Sequence, residues 1–380
     1  MTFITTKLKD LNDRQQPPDL QGNHLVTRFR FDVSQVMNHV RSKIFGQEES
    51  LSRLEEMLNI VWTDITEPDR PLYVALFLGP TGVGKTEVVR ALSDSIHGSP
   101  EAFCRIDMNT LTQEHYTAAL TGAPPGYVGS KEGTSLFQME KIEGSYSKPG
   151  IILFDELEKA NDQVIYSLLN VMDNGLMVLT SGEKVINFRN TLIFMTSNVG
   201  AKEIINFADG GFKYSLRKFL WFLQPSHWGK GEQDFLRDVT TKQLEKRFNP
   251  EFINRFDDIF VFNWLHQEVL GQILDMNVQS LNHRIQKYAC QLRLDVSARK
   301  FLIKEGLNKR YGARFLKRII RKYIEVPLAS QISQRKQGEV PLIFIVGMQN
   351  GKLSFLAIEE SKSNIDSELQ FKQTSQSLDG

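Results

Sequence analysis

Eight residues, GPTGVGKT at positions 79–86, fit the spacing G-x-x-x-x-G-K-[ST]. That spacing has a chemistry. Gly79, Gly82 and Gly84 free the backbone to curl until its N–H groups converge on an anion. Pro80, Thr81 and Val83 fill the loop between them. Lys85 is placed to reach the outer phosphates of a nucleotide, and the Thr86 hydroxyl to ligate Mg²⁺. An apolar run precedes the loop and a helical pattern follows it, so a helix N-terminus adds its positive dipole end.

A second run, IILFDE at 151–156, sends four apolar residues through a core and ends in two acids. Two acids at a strand end are common and by themselves read as an exposed end. Downstream of a phosphate loop they read differently: Asp155 holds Mg²⁺ through its water shell, and Glu156 orients and polarises an attacking water. No other acceptor for a phosphoryl group is visible, so transfer to water is the expected reaction. A third run, NTLIFMTSN at 190–198, is apolar and ends in Thr196, Ser197 and Asn198. Asn198 alone would be a turn cap. On the same sheet edge as the two acids, its amide can meet the γ-phosphate or the water. Arg255 and Arg314 are arginines that could stabilise charge as the bond breaks, though by themselves they read as surface residues.

These groups need a scaffold. The strand candidates are 72–78, 103–107, 151–156, 190–198 and 258–263, rich in β-branched and aromatic residues and apolar on both faces. Such runs suit a parallel sheet covered on both sides. Helical patterns at 85–96 and 161–174 alternate with them, so the expected fold is α/β, a doubly wound parallel sheet. From about residue 265 the pattern turns helical, at 266–288, 296–307 and 312–333. Two strands at 340–347 and 351–358 follow, around a Gln-Asn-Gly turn. The expected domains are a flexible arm over 1–30, a large α/β domain over 31–264, a small helical domain over 265–360 and a loose tail over 361–380.

Composition narrows the function. A formal net charge of +1 over 380 residues lacks the basic excess of a nucleic-acid tracking protein. Cys104 and Cys290 are far apart and form neither a zinc spacing nor a disulfide framework. That fits a reducing compartment. No stretch is apolar for the ~20 residues a membrane span requires. The expected setting is the cytoplasm.

Taken in order, these strings resemble the Clp family of AAA+ ATPases, and within it the second ATPase domain of ClpB. The resemblance runs from about residue 40 to residue 358. It rests on IFGQ (44–47), GPTGVGKTE (79–87), RIDM (105–108), GAPPGYVGSKEG (122–133), FDELEKA (154–160), FRNT (188–191), MTSN (195–198), NPEFINRFD (249–257) and YGARFLKR (311–318). It implies ATP and Mg²⁺ as cofactors. It implies that Ile44 and Phe45 line an adenine pocket, that Asn198 is a first nucleotide sensor and Arg314 a second. It makes Arg255 an arginine finger that enters a neighbouring subunit's site in a homo-oligomeric ring, in the family a hexamer. It also makes Gly126, Tyr127 and Val128 the tip of a loop projecting into the ring's pore, with Tyr127 gripping polypeptide. Read without the resemblance, those three residues are a Pro/Gly turn with an incidental tyrosine.

The implied function is that of an ATP-driven protein unfoldase or disaggregase. Two alternatives stand beside it: an ATPase regulatory subunit docked on a ClpP-type peptidase, and an ATP-gated assembly or scaffold protein with little turnover. The segment 207–233, heavy in Phe and Trp, departs from ClpB. Gly211-Phe212 partly matches the peptidase-docking loop of protease-linked members, with Gly210 where an aliphatic residue is expected. Phe219, Trp221 and Phe222 either mark a partner site or pack on their own domain. Residues 175–187 also differ from the family text, leaving a second pore loop open.

Overall fold

The computed structural model describes residues 27–111, 136–178, 185–208, 218–224, 231–307, 312–334 and 340–359. The chain divides after Trp264 into two compact units, Met1–Trp264 and Leu265–Gly380.

The first unit is built on strands β1 (Tyr73–Leu78), β2 (Cys104–Asp107), β3 (Gly150–Asp155), β6 (Thr191–Ser197) and β7 (Asp258–Val261), with a separate small hairpin of β4 (Leu176–Val178) and β5 (Val185–Asn187). The five form one sheet in the order β2-β3-β6-β1-β7, and every pairing in it is parallel. The five apolar runs thus occupy one sheet. In β3 and β6 every residue is buried, which is why they read as continuous apolar text rather than alternation. Phe77 lies at the centre of the packing, with its ring 5.1–5.3 Å from those of Phe194, Phe260 and Phe262.

The covering helices start and stop on local chemistry. Asn161 Oδ1 accepts from the Val164 N–H at 2.9 Å and opens the helix Asp162–Asn174. Asp32 does the same for Val33–Lys43. Gly98 and Gly175, both left-handed, close Lys85–His97 and Asp162–Asn174. Residues 27–30, expected within the flexible arm, are fastened instead. Phe29 is buried, Arg28 donates to Asp64 and Asn190, and the Arg30 N–H reaches Ser147 O at 3.0 Å. Burial of Phe29 within an otherwise polar stretch is the reason. The rest of the arm and the tail lie outside the described residues.

The second unit carries helices Gln267–Ile285, Val296–Gly306, Gly312–Ile320 and Val326–Ile332, and a three-stranded sheet in the order β10-β9-β8. Here β8 is Cys290–Leu294, β9 Leu342–Gln349 and β10 Lys352–Glu359. The expected hairpin is β9–β10, turning through Asn350 and Gly351, both at positive φ. Strand β8, parallel to β9, was not expected. The helix expected over 312–333 is interrupted by a π-helical turn at Arg321–Glu325. Pro327 explains it: the ring has no N–H to give to the carbonyl one turn back and crowds it.

Candidate active site

The loop after β1 is held by the ends of its neighbours. Gly79 N–H donates to Ser197 O at the end of β6, 3.2 Å away. Gly79 has φ +151, and a Cβ there would lie 2.8 Å from the Phe262 carbonyl oxygen, so the position excludes a side chain. Gly84, at φ +113, caps the helix Lys85–His97. A Cβ at Gly84 would meet only Ile44, 3.9 Å away. Buried Ile44 thus stands beside the loop, with half-buried Phe45 next to it. Gln47, fully buried, ties the loop down. Its Nε2 donates to Val83 O at 3.3 Å and Asn263 O at 3.0 Å, while its Oε1 accepts from the Asn263 N–H at 2.8 Å. Gln47 belongs to the IFGQ string, but its tethering role shows only in these contacts.

Lys85 is buried. Its ammonium donates to the carbonyls of Gly79 and Pro80 and to Asn198 Oδ1, the last at 2.9 Å. Asn198 Oδ1 also accepts from Thr81 Oγ1 at 3.4 Å. The other side of the Asn198 amide belongs to Glu158. Nδ2 donates to Glu158 Oε1 at 3.0 Å and the backbone N–H to Oε2 at 3.2 Å. Glu158, Asn198 and Lys85 therefore form one chain of charge-assisted hydrogen bonds along the C-terminal edge of the sheet. Nothing in the string FDELEKA separates Glu158, which holds Asn198, from an acid in solvent.

The paired acids are held by Thr196. Its hydroxyl donates to Asp155 Oδ1 and accepts from the Glu156 N–H at 3.1 Å. Arg105 Nη2 lies 2.6 Å from Asp155 Oδ2, and Asn109 Nδ2 donates to Glu156 Oε2 at 2.9 Å. Glu156 sits at φ 61, ψ 51, a left-handed conformation costly for a residue with a Cβ. The bend turns the chain out of β3 immediately after Asp155. Asp155 is buried and Glu156 half-buried. Arg105 and Asn109 were not anticipated: they come from β2 and from the short helix Met108–Leu111 that follows it, which only the sheet brings beside β3.

Arg255 is not in this constellation. Two residues on, Asp257 takes the Val74 N–H at 2.7 Å on its carboxylate and gives its own N–H to Val74 O at 2.9 Å. That pins the segment to the start of β1, whereas the loop follows its end. At ~3.3 Å per residue the five residues from Val74 to Gly79 span about 16 Å, farther than an arginine side chain extends. Arg314 is an exposed residue of helix Gly312–Ile320 in the second unit. Gly126, Tyr127 and Val128 lie outside the described residues.

The residues fit a triphosphate with its metal. The glycine loop offers backbone donors at a helix N-terminus, and Lys85, Thr86 and Asp155 supply an ammonium, a hydroxyl and a carboxylate. Among the described residues no cluster of His, Cys, Asp and Glu would hold a metal unaided. Mg²⁺ binds through few protein oxygens and the phosphates themselves. When bound, the metal neutralises charge on the phosphates. Thr86 and Asp155 are the residues that would hold it.

Fold and site together define an ATPase of the AAA+ class. Comparison with known proteins carries this further. Residues 70–259 match the model described as "AAA domain (Cdc48 subfamily)", and residues 265–341 match that of the "C-terminal, D2-small domain, of ClpB protein". The chain is 47% identical over 313 residues to a Pseudomonas aeruginosa protein named "ATP-dependent protease ATP-binding subunit-like protein AmiB", covering 82% of this chain and 83% of that one. It is 36% identical to an "ATP-dependent protease ATP-binding subunit-like protein" of Rhodococcus erythropolis, covering 90% and 95%. Against the chaperone protein ClpB of Aquifex aeolicus it is 34% identical over 85% of its own length but only 30% of that protein. The chain belongs to the Clp family of AAA+ ATPases and resembles the second ATPase domain of ClpB.

The segment expected to be either a partner site or local packing is divided. Trp221 is buried, edge-on to Phe222 and Phe235 at 5.1 and 5.6 Å, with its indole N–H on Asp238. Phe219 is 61% exposed, beside exposed Leu220 and Leu223. Gly210, Gly211 and Phe212 lie outside the described residues.

Proposed function

We propose that copies of this chain form a closed ring, hydrolyse ATP at the seams between them, and use the strokes to draw polypeptide past Tyr127. The observation that carries the ring is the placement of Arg255 at the far end of β1 from its own phosphate loop. An arginine finger there can serve a nucleotide only in a neighbouring copy, and head-to-tail contacts of that kind close into rings. Within one site, Lys85 and the loop N–H groups bind the phosphates. Glu156 holds the attacking water and takes its proton. Asn198, fixed by Glu158, contacts the γ-phosphate side, and Ile44 and Phe45 receive the base. Arg314 is read as a second nucleotide sensor on the resemblance to the second ATPase domain of ClpB. An aromatic tip such as Tyr127 offers apolar contact to most side chains, so it pulls without reading sequence.

Mixing variants tests the seam. Arg255→Ala keeps an intact site but offers no arginine, and Glu156→Gln keeps the arginine but has a dead site. Each alone is expected to lose turnover on the order of 10²-fold or more, and mixed rings are expected to recover part of it. Failure to recover in rings shown to be mixed would refute a finger acting in trans. Tyr127→Ala is expected to retain ATPase and lose unfolding of a tagged substrate; normal unfolding would remove the threading role.

A second reading, docking on a peptidase, is supported by the exposed Phe219, Leu220 and Leu223 and by the names of the two relatives matched along most of their length. Pull-down with a ClpP-type partner, repeated with Phe219→Ser/Leu223→Ser, separates it: no binding by either form eliminates it.

A further inference from the structure

Arg255 has four rotatable side-chain bonds and a long reach, so fixing its backbone does not fix its guanidinium. The Nε atom is excluded from solvent and lies 2.9 Å from Asp173 Oδ1, at ion-pair distance though off line for a hydrogen bond. The side chain as a whole is 43% exposed. One edge of the guanidinium is therefore committed to Asp173 while the group still reaches the surface.

Asp173 is itself held in an unusual place. It lies in the last turn of helix Asp162–Asn174, where the negative end of the helix dipole disfavours a carboxylate and where no basic residue of the helix offsets it. The compensation comes from outside the helix. Arg70 Nε donates to Met172 O at 3.2 Å and Arg189 Nε to Asn174 O at 3.3 Å, so the last carbonyls are covered by cations. Those two arginines are anchored in turn, Arg70 on Asp257 and Arg189 on Asp69. Asp257 also clamps Val74, and so joins the backbone that carries Arg255 to the same network. Asp173 is left as the acid that faces Arg255.

We propose that Asp173 is the positioning residue of the arginine finger. It holds the guanidinium by its Nε edge so that the terminal nitrogens are presented to the neighbouring copy's γ-phosphate. The inference rests on the reading of Arg255 as a residue that acts in trans. It adds that the finger's aim is set within its own subunit, by the C-terminal turn of the helix that follows Glu156 and Glu158.

The test uses the full chain with Asp173→Asn, which keeps the shape and removes the charge, and with Asp173→Ala as a second variant. Turnover at saturating ATP is expected to fall about ten- to a hundredfold, the range of a misaimed group. Affinity for a fluorescent ADP analogue and ring assembly are expected to stay unchanged. Combined with Arg255→Ala, neither variant should slow turnover further. The decisive arm is asymmetric. Placed in the Glu156→Gln donor, Asp173→Asn is expected to abolish rescue of Arg255→Ala acceptors; placed in the acceptor, it is expected to leave rescue intact. Equal damage on both sides, or unchanged turnover, would overturn the proposal. If donors carrying intact Asp173 fail to rescue, it is the trans reading that falls, and this inference with it.

Discussion

At the scale of single residues, Thr196 joins what the sequence separates. One hydroxyl donates to Asp155 and accepts from the Glu156 N–H, so it fixes the relative aim of the two carboxylates. Thr196→Val keeps the shape and removes both bonds. The half-buried Glu156 N–H then lacks an acceptor, a loss of about 1–3 kcal/mol. Turnover should fall by about tenfold or more, with nucleotide affinity altered less, because the strained turn at Glu156 is no longer held. Parallel measurement of kcat, KM and thermal stability checks this; an unchanged kcat would remove Thr196 from the site's support. Lys85 was legible in the sequence because it belongs to the glycine-loop spacing, and Asp155, Glu156 and Asn198 because they stand at the ends of apolar runs. Glu158, Arg105 and Asn109 were not: their roles depend on which strands become neighbours.

At the scale of elements, the loop and β7 are one mechanical piece because Gln47 bridges them. Gln47→Ala would leave the Asn263 backbone and Val83 O without their buried partner, again about 1–3 kcal/mol. With the loop untethered, KM for ATP should rise several-fold while kcat changes less. Equal loss of both would assign Gln47 to folding alone. The strands of the large sheet were readable because burial on both faces leaves unbroken apolar text. Strand β8 was missed for the converse reason. CQLRL alternates buried and exposed over five residues, and its free edge is satisfied by one side chain: Asn282 takes the Leu292 N–H at 2.7 Å and gives to Leu292 O at 3.0 Å. No local signal announces a strand closed by an amide from a preceding helix.

At the scale of the whole molecule, stability carries a pH signature through His97. It ends the helix Lys85–His97, and its Nε2 lies 3.0 Å from Pro149 O just ahead of β3. Burial pushes the imidazole below its ordinary value of 6.5, and the Lys148 charge adds to the effect. In the folded chain His97 is therefore more readily neutral than in the unfolded one. Its contribution is present above about pH 6.5 and is lost as the pH falls below that value toward the depressed one, because the unfolded chain takes up the proton more readily. His97→Gln, which can still donate to Pro149 O, should flatten this slope. Denaturant midpoints of both proteins followed from neutral to mildly acid pH check it, and parallel curves would show that His97 is not responsible. Among the described residues no helix is long and apolar enough to cross a membrane.

Taken by itself, the order of residues determined the chemistry and the class. Glycine spacing, strand-end acids and apolar run lengths are local properties, set by backbone freedom and by burial on one face or two. Tertiary structure alone decided which polar groups hold those residues in place, since such contacts depend on strand order in the sheet. It also decided that Arg255 lies at the opposite end of β1 from the loop, next to Asp173. The physical reason is that a parallel sheet gathers all its C-terminal ends on one edge and all its N-terminal ends on the other, a sorting that spacing along the chain does not reveal.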